Sequence, residues 1–153
     1  MTETTIEDML VAIRNKIKEN IKADVELQDI VKIYKGNPNS IPKYPVILLA
    51  YDREEITQRH KGRDNIQEKT LLLVTVIEKY LNAEEVEDRL LRLTGYLKKN
   101  FITNRYLDGI ESESNTWKII DAKPIEVNYD SLQTKTFVLY SSEIKVEITT
   151  EGI

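Results

Sequence analysis

The sequence contains no cysteine and one histidine, His60, and these two scarcities exclude several kinds of chemistry. Without cysteine there is no disulfide, no thiolate nucleophile and no cysteine-bound zinc or iron–sulfur cluster. A histidine-based triad would have to be built around His60, which stands between Arg59 and Lys61 with no orienting residue beside it. We therefore predict no catalytic residues, and the lack of cysteine favours an intracellular protein.

Glycine is also scarce, and none of the five glycines lies in a Gly-x-Gly-x-x-Gly or Walker spacing that would cradle phosphate. The Asp-x-Asp-x-Asp-Gly pattern of a calcium loop is missing as well. An acidic cluster at residues 84–88 stands at a predicted helix start, where the helix dipole accounts for it. The sequence thus predicts no metal site and no cofactor.

No apolar run approaches the ~20 residues that span a bilayer, and the first residues are acidic rather than basic as in a signal peptide. We expect neither secretion nor membrane insertion. A net charge of -4 argues against a general affinity for nucleic acid, which needs an excess of lysine and arginine. The length of 153 residues and a hydrophobic share of 41% suffice for a core, so we expect residues 1–153 to form one domain.

Two segments have the spacing of amphipathic helices, with apolar residues at intervals of four, three and four. Thr4 and Glu7 have the spacing of a capping box at the start of the first helix, and residues 82–85 repeat this capping pattern before the second. Each helix has one apolar stripe and is expected to cover a sheet. The two stripes are Ile6, Leu10, Ile13 and Ile17, and Val86, Leu90, Leu93 and Leu97.

The remaining segments favour β-strands. Pro124 places one of them at a sheet edge or at a bulge, and a change of apolar parity at Ser141 and Ser142 predicts a bulge in another. The order of elements predicts an α+β fold: a largely antiparallel mixed sheet with two amphipathic helices packed on it and an extended β-hairpin. The predicted strands are residues 46–51, which we expect to be central, then 66–80, 116–130 and 136–149, with a short strand around Val31 and Ile33.

A polar insert at residues 52–65 separates two apolar strands and predicts the tip of the hairpin. It holds the one local excess of basic residues, partly offset by acidic ones. One interpretation is a solvated tip; the other is a polar contact with an adjacent subunit or a surface that faces nucleic acid. The candidate contact residues are Arg53, Glu54, Glu55, Arg59, His60, Lys61 and Arg63.

Nearly the whole chain resembles the tail terminator, or tail-completion, proteins of long-tailed bacteriophages and related contractile particles. The resemblance lies in the N-terminal amphipathic helix, the Pro-Lys-Tyr-Pro-Val-Ile-Leu entry into a strand at residues 42–48, and the extended hairpin. It continues through the acidic-start helix at 83–99, the Asn-Arg-Tyr-Leu-Asp-Gly-Ile step at 104–110, and a closing strand of alternating residues.

The resemblance implies a virion protein that closes into a hexameric ring, caps the tail tube, ends tail elongation and forms the tail side of the head–tail joint. Its partners would be copies of itself, the tail tube protein and the head–tail connector protein, with only transient, non-specific passage of DNA and no membrane. It would be located in the virion tail, assembled in the host cytoplasm, without enzyme activity. A non-viral oligomeric adaptor and a small carboxylate-dependent enzyme remain as alternatives.

Overall fold

The computed structural model describes residues 3–36, 38–58, 66–80, 83–110, 117–133 and 135–152, which form two long helices and five strands. Short 3₁₀ turns at Val25–Leu27 and Leu107–Gly109 follow the two helices. In the described part of the chain, neither helix has a stretch apolar and long enough to cross a membrane. The elements are α1 (Glu3–Ala23), β1 (Lys32–Lys35), β2 (Val46–Gln58), β3 (Ile66–Tyr80), α2 (Ala83–Thr103), β4 (Trp117–Gln133) and β5 (Val138–Gly152).

The five strands form one sheet in the order β1-β2-β3-β5-β4. β1 pairs with β2 in parallel, and the other three neighbouring pairs are antiparallel. The predicted α+β fold, with a largely antiparallel mixed sheet and two helices, is confirmed. β4 stands at an edge and its register shifts between Pro124 and Glu126, so both explanations offered for that proline hold together.

The core lies between the two helices and one face of the sheet. The predicted stripe of α2 is buried in full, and the helix continues past residue 99 so that Phe101 joins it. From the sheet, Ile47, Val74 and Val146 belong to the same core, because side chains alternate between the two faces of a strand.

α1 differs from its prediction in two respects. The helix begins at Glu3, so Thr4 lies inside it and is not the N-cap. Met9 is fully buried where Leu10 was expected, and Leu10 is only half-buried. The buried residues Met9, Ile13, Ile17 and Ile21 are spaced by four. This spacing lies on one helix face as well as the predicted mixture of three and four does, and only the packing distinguishes the two.

β2 does not end where its apolar residues end. It continues through Gln58 and pairs with β3 residue by residue, with one bulge between Tyr51 and Arg53. The first half of the predicted hairpin tip is therefore strand rather than turn. β3 is held on its other side by β5 from Gln67 to Tyr80, so it presents a rigid edge, and backbone pairing to that edge requires no apolar side chains.

The bulge predicted at Ser141 and Ser142 is wrong. β5 pairs with β3 without any register shift, and both serines lie inside the regular ladder. Ser142 continues the series of residues that face the helices, and its hydroxyl lies 2.6 Å from that of Thr94 on α2. A hydrogen-bonded polar pair in the core thus resembled a break in the apolar alternation.

Candidate functional site

Of the hairpin residues proposed from the sequence, some lie in the part of the chain that the structure describes and the others lie outside it. Arg53 is exposed on β2, and Glu54 and Glu55 take the next two positions, where the strand pairs with residues 69–71 of β3. The bulge just before Arg53 re-aims this outer part of the strand. Arg59, His60, Lys61 and Arg63 lie outside the described residues.

The outer half of the hairpin, residues 52–58 and 66–71, is attached to the sheet rather than projecting from it. Residues 67–71 of β3 pair with β5, the Thr150 hydroxyl donates to the Glu68 carbonyl at 3.4 Å, and Lys69 lies 3.7 Å from Glu147. Thr70 is fully buried. This half of the hairpin is a rigid platform that carries Arg53 and its neighbours.

The buried acidic residue Glu78 is paired rather than gathered into a reactive cluster. It is 2% exposed at the end of β3, and Arg89 of α2 places its Nε 3.1 Å from the carboxylate. Burial raises the pKa of Glu78, and the nearby Arg89 partly opposes that rise. Among the described residues, no three acidic or histidine side chains converge as metal ligands would.

An open cavity of about 490 Å³ lies between the ends of α1 and α2. Its amides are used in holding the two helices together: the Asn100 side-chain nitrogen donates to the Asn20 carbonyl at 3.2 Å and to an Asp24 carboxylate oxygen at 3.0 Å. Because the Asn100 side chain already bonds to groups of the fold, we interpret this cavity as the junction between two helices and not as a ligand site.

The β1 side of the sheet is basic. Lys32 and Lys35 of β1 stand beside Lys18 and Lys22 of α1, and Lys35 donates to the side chain of Asn15. Burial, together with the positive charges of Lys22, Lys35 and Lys32, lowers the pKa of Lys18. Sequence reasoning missed this basic edge because its lysines come from two elements; the one local signal was the four-residue spacing of Lys18 and Lys22 on the polar side of α1.

The first half of β4, residues 117–125, is closed on its outer side. The Ile119 amide donates to the Ile110 carbonyl at 3.1 Å, and Arg105 grips Asp121 with two hydrogen bonds of 2.6 and 3.2 Å. Pro124 then removes a backbone donor. This half of the edge is therefore protected from pairing with another chain.

The second half of β4, residues 126–133, is largely exposed, and its charged residues are acidic. Tyr129 and Leu132 are 50% and 59% exposed there, and Asp130 lies between them. Between this strand and α2 runs a groove of about 380 Å³ whose lining includes Glu87 and Leu91 of the helix. The second half of the β4 edge thus differs in charge from the β1 edge, with carboxylates on the former and lysines on the latter.

No protein-family model and no curated protein matches the sequence. Solved structures do match it in fold. A chain described as belonging to the virion of a native gene transfer agent (GTA) particle superposes with a TM-score of 0.62 at 9% identity, covering 89% of this chain and 92% of that one. A second solved chain, which has no functional name, covers 100% of this chain and 96% of its own with a TM-score of 0.50 and 10% identity. At such identities the likeness establishes a shared fold, one that also occurs in a virion particle.

Proposed function

We propose that this protein is a structural subunit of a phage-like virion and, more narrowly, its tail terminator. As a hexameric ring it caps the end of the tail tube, ends tail elongation and forms the tail side of the head–tail joint. The observation that carries the proposal is the fold match to the gene transfer agent virion chain over 89% of this protein and 92% of that chain. The order of elements along the sequence supports the narrower role.

The chemistry of the described residues supports assembly rather than catalysis. The buried Glu78 is engaged with Arg89, and Asp121 is engaged with Arg105. A general acid or base must reach a substrate proton, whereas each of these carboxylates is already paired with an arginine. Exposed apolar and charged side chains instead collect along a sheet edge, where contacts between proteins form.

The partners in this role are further copies of the chain, the tail tube protein and the head–tail connector protein. DNA passes through the ring without lasting contact, and a net charge of -4 favours such passage because like charges do not adhere. The outer half of the hairpin, with Arg53, Glu54 and Glu55 on β2, is the surface we assign to an adjacent subunit or partner.

Deletion of the gene in a particle-producing strain tests the function. A capping subunit acts by occupying the growing end of the tube, so the mutant should release tails of uncontrolled length that carry no heads. Negative-stain electron microscopy of the lysate measures both properties, and expression of the wild-type chain from a second locus should restore them. Tails of normal length joined to heads in the deletion strain would rule out the terminator role and favour an adaptor outside the particle.

A further inference from the structure

The two outer edges of the sheet lie at the same level. Residues that stand directly opposite one another in neighbouring strands share a level and a face, so the ladder can be followed across the sheet. From Ile33 of β1 the ladder runs through Ile47, Val76 and Ser142 to Tyr129 of β4. By the same route, Lys32 runs through Val46, Ile77 and Ser141 to Asp130.

Both edges are open at this level. In the part of the chain that the structure describes, the outer sides of β1 and β4 have no strand partner, because these two strands end the sheet order. The closing features of β4, the bond from Ile119 and the proline at 124, all fall in its first half. An unpaired strand edge with exposed apolar residues such as Tyr129 and Leu132 is a template for another strand.

The strand directions permit ordinary antiparallel pairing. β1 runs parallel to β2, and three successive antiparallel steps lead from β2 to β4. A second copy placed beside the first by simple displacement therefore brings its β1 antiparallel to β4. With no shift along the strands, Lys32 of one copy stands opposite Asp130 of the other, and Ile33 opposite Tyr129.

We propose that the β1 edge of one copy pairs with the second half of β4 of the next copy, so that the sheet and the helix layer both continue from subunit to subunit. This contact gives the ring of the proposed function its subunit interface, and it rests on that function for the number of copies. A head-to-tail contact of this kind uses two different surfaces of each copy and closes into a ring when the rotation permits.

The charges select this arrangement over its alternatives. Two β4 edges facing each other would set carboxylate against carboxylate, and two β1 edges would set lysine against lysine; like charges in direct opposition are destabilising. Head to tail, Lys18 and Lys22 on α1 approach the side of the neighbour where Glu87 and Leu91 line the groove beside Tyr129. The groove then receives lysine stems with their charges near carboxylates.

Charge reversal tests the contact. Lys32→Glu and Asp130→Lys should each raise the apparent dissociation constant about tenfold, because each sets like charges opposite one another at every interface. Analytical ultracentrifugation over a range of concentrations measures the association, and thermal unfolding confirms that each variant is folded. Lys123→Glu, the same charge change on the closed half of β4, is the matched control and should associate like the wild type.

Rescue makes the test specific for pairing of different edges. The double variant Lys32→Glu/Asp130→Lys should associate by itself, because it restores opposite charges. An equimolar mixture of the two single variants should also associate, in alternating order, since Glu at 32 then meets Lys at 130 and the native pair forms at the next interface. Single variants that associate normally, or a mixture and a double variant that remain dissociated, would overturn the proposal.

The absence of cysteine provides a second measurement. Opposite residues of an antiparallel pair are close enough for a disulfide, so the doubly substituted Lys32→Cys/Asp130→Cys chain should form covalent oligomers on oxidation, while each single substitution stays monomeric on a non-reducing gel. A covalent dimer from Asp130→Cys alone would indicate two β4 edges in contact and refute the head-to-tail arrangement. A chain that neither associates nor cross-links would also refute the proposed contact. So would a chain whose Lys32 binds a DNA duplex rather than a second copy.

The two proposals can fail separately. Rescued association of the charge variants combined with normal tails in the deletion strain would leave the edge contact standing and remove the terminator role. Uncontrolled tails in the deletion strain combined with charge variants that associate normally would do the reverse.

Discussion

At the scale of single residues, the core contains a polar pair, Thr94 and Ser142, in which Ser142 relies on its partner for hydrogen bonding more than Thr94 does. The Thr94 hydroxyl donates to the Leu90 carbonyl at 2.6 Å and lies 2.6 Å from the Ser142 hydroxyl. Both side chains are fully buried. Thr94 retains a partner if Ser142 is removed, whereas Ser142 has no second bond of this kind from its side chain among those that the structure describes.

This asymmetry predicts the cost of each substitution. Thr94→Val should lower the free energy of unfolding by about 1–3 kcal/mol, because it leaves a buried hydroxyl without a partner, and Ser142→Ala by only about 0.5–1.5 kcal/mol. The double variant should cost less than the sum of the two. Urea unfolding measures all three, with the exposed Thr103→Val as a control expected to lie within about 0.5 kcal/mol of the wild type. Costs that simply add would show that the two hydroxyls are not coupled.

At the scale of elements, the hairpin formed by β2 and β3 remains paired beyond the end of its apolar residues. β2 and β3 remain paired to Gln58 and Ile66, and β5 supports β3 over most of that length. The paired outer half of the hairpin is therefore part of the fold. Ile148 and Thr150 of β5 face the core from beside the outer half of β3 and need it as a neighbour.

Two truncations distinguish the tip from the platform. Replacing residues 59–65 with Asn-Gly should leave the thermal midpoint nearly unchanged, because Gln58 and Ile66 are opposite each other and a two-residue turn can join them. Replacing residues 54–70 with Asn-Gly should lower the midpoint by about 4–8 °C or more, since it uncovers part of the core and a loss of 1 kcal/mol costs about 2–4 °C at this size.

Assembly of the shorter truncation then reports on the tip itself. If residues 59–65 contact a partner, the variant lacking them should stay folded and still fail to join tails to heads. Normal particles from that variant would make the tip a solvated loop and would restrict the candidate contact residues to Arg53, Glu54 and Glu55.

At the scale of the whole molecule, two titratable carboxyl groups make the free energy of unfolding depend on pH in opposite directions. Burial raises the pKa of Glu78 above its ordinary 4.5, so its contribution is fully present below that value and is lost as the pH rises through the raised pKa. The hydrogen bonds from Arg105 lower the pKa of Asp121 below its ordinary 3.8, so its contribution is present above that value and is lost as the pH falls through the lowered pKa.

The two signs lead to a paired prediction. Glu78→Gln should gain stability relative to the wild type as the pH rises from 4.5 toward neutrality and Glu78 of the wild type loses its proton in its buried position. Asp121→Asn should be less stable than the wild type at neutral pH, and that deficit should shrink on acidification. Urea unfolding across this range, extended to acid for Asp121→Asn, measures both slopes, with the exposed Glu85→Gln on α2 as the control. Parallel curves for Glu78→Gln and the wild type would contradict the role assigned to its burial.

The amino-acid sequence by itself determined the fold class and most of the elements. Apolar periodicity is a local property that reports burial, and it identified the stripe of α2, the central part of β2 and the edge position of the strand with Pro124. Of the candidate contact residues, it assigned Arg53, Glu54 and Glu55 to a turn, whereas they lie in β2. Their role as contacts stays a prediction.

Tertiary structure alone decided where strands end and which charges meet. Backbone hydrogen bonding between strands does not depend on the apolar pattern of the side chains. β2 therefore extends through polar residues, since β3 provides an edge to which it pairs. The lysines of α1 and β1 gather because two elements distant in sequence pack together, and they stand level with Asp130 because sheet order and register place both edges there. Charges on separate elements carry no local signal of their final neighbours, and only the assembled sheet brings them into register.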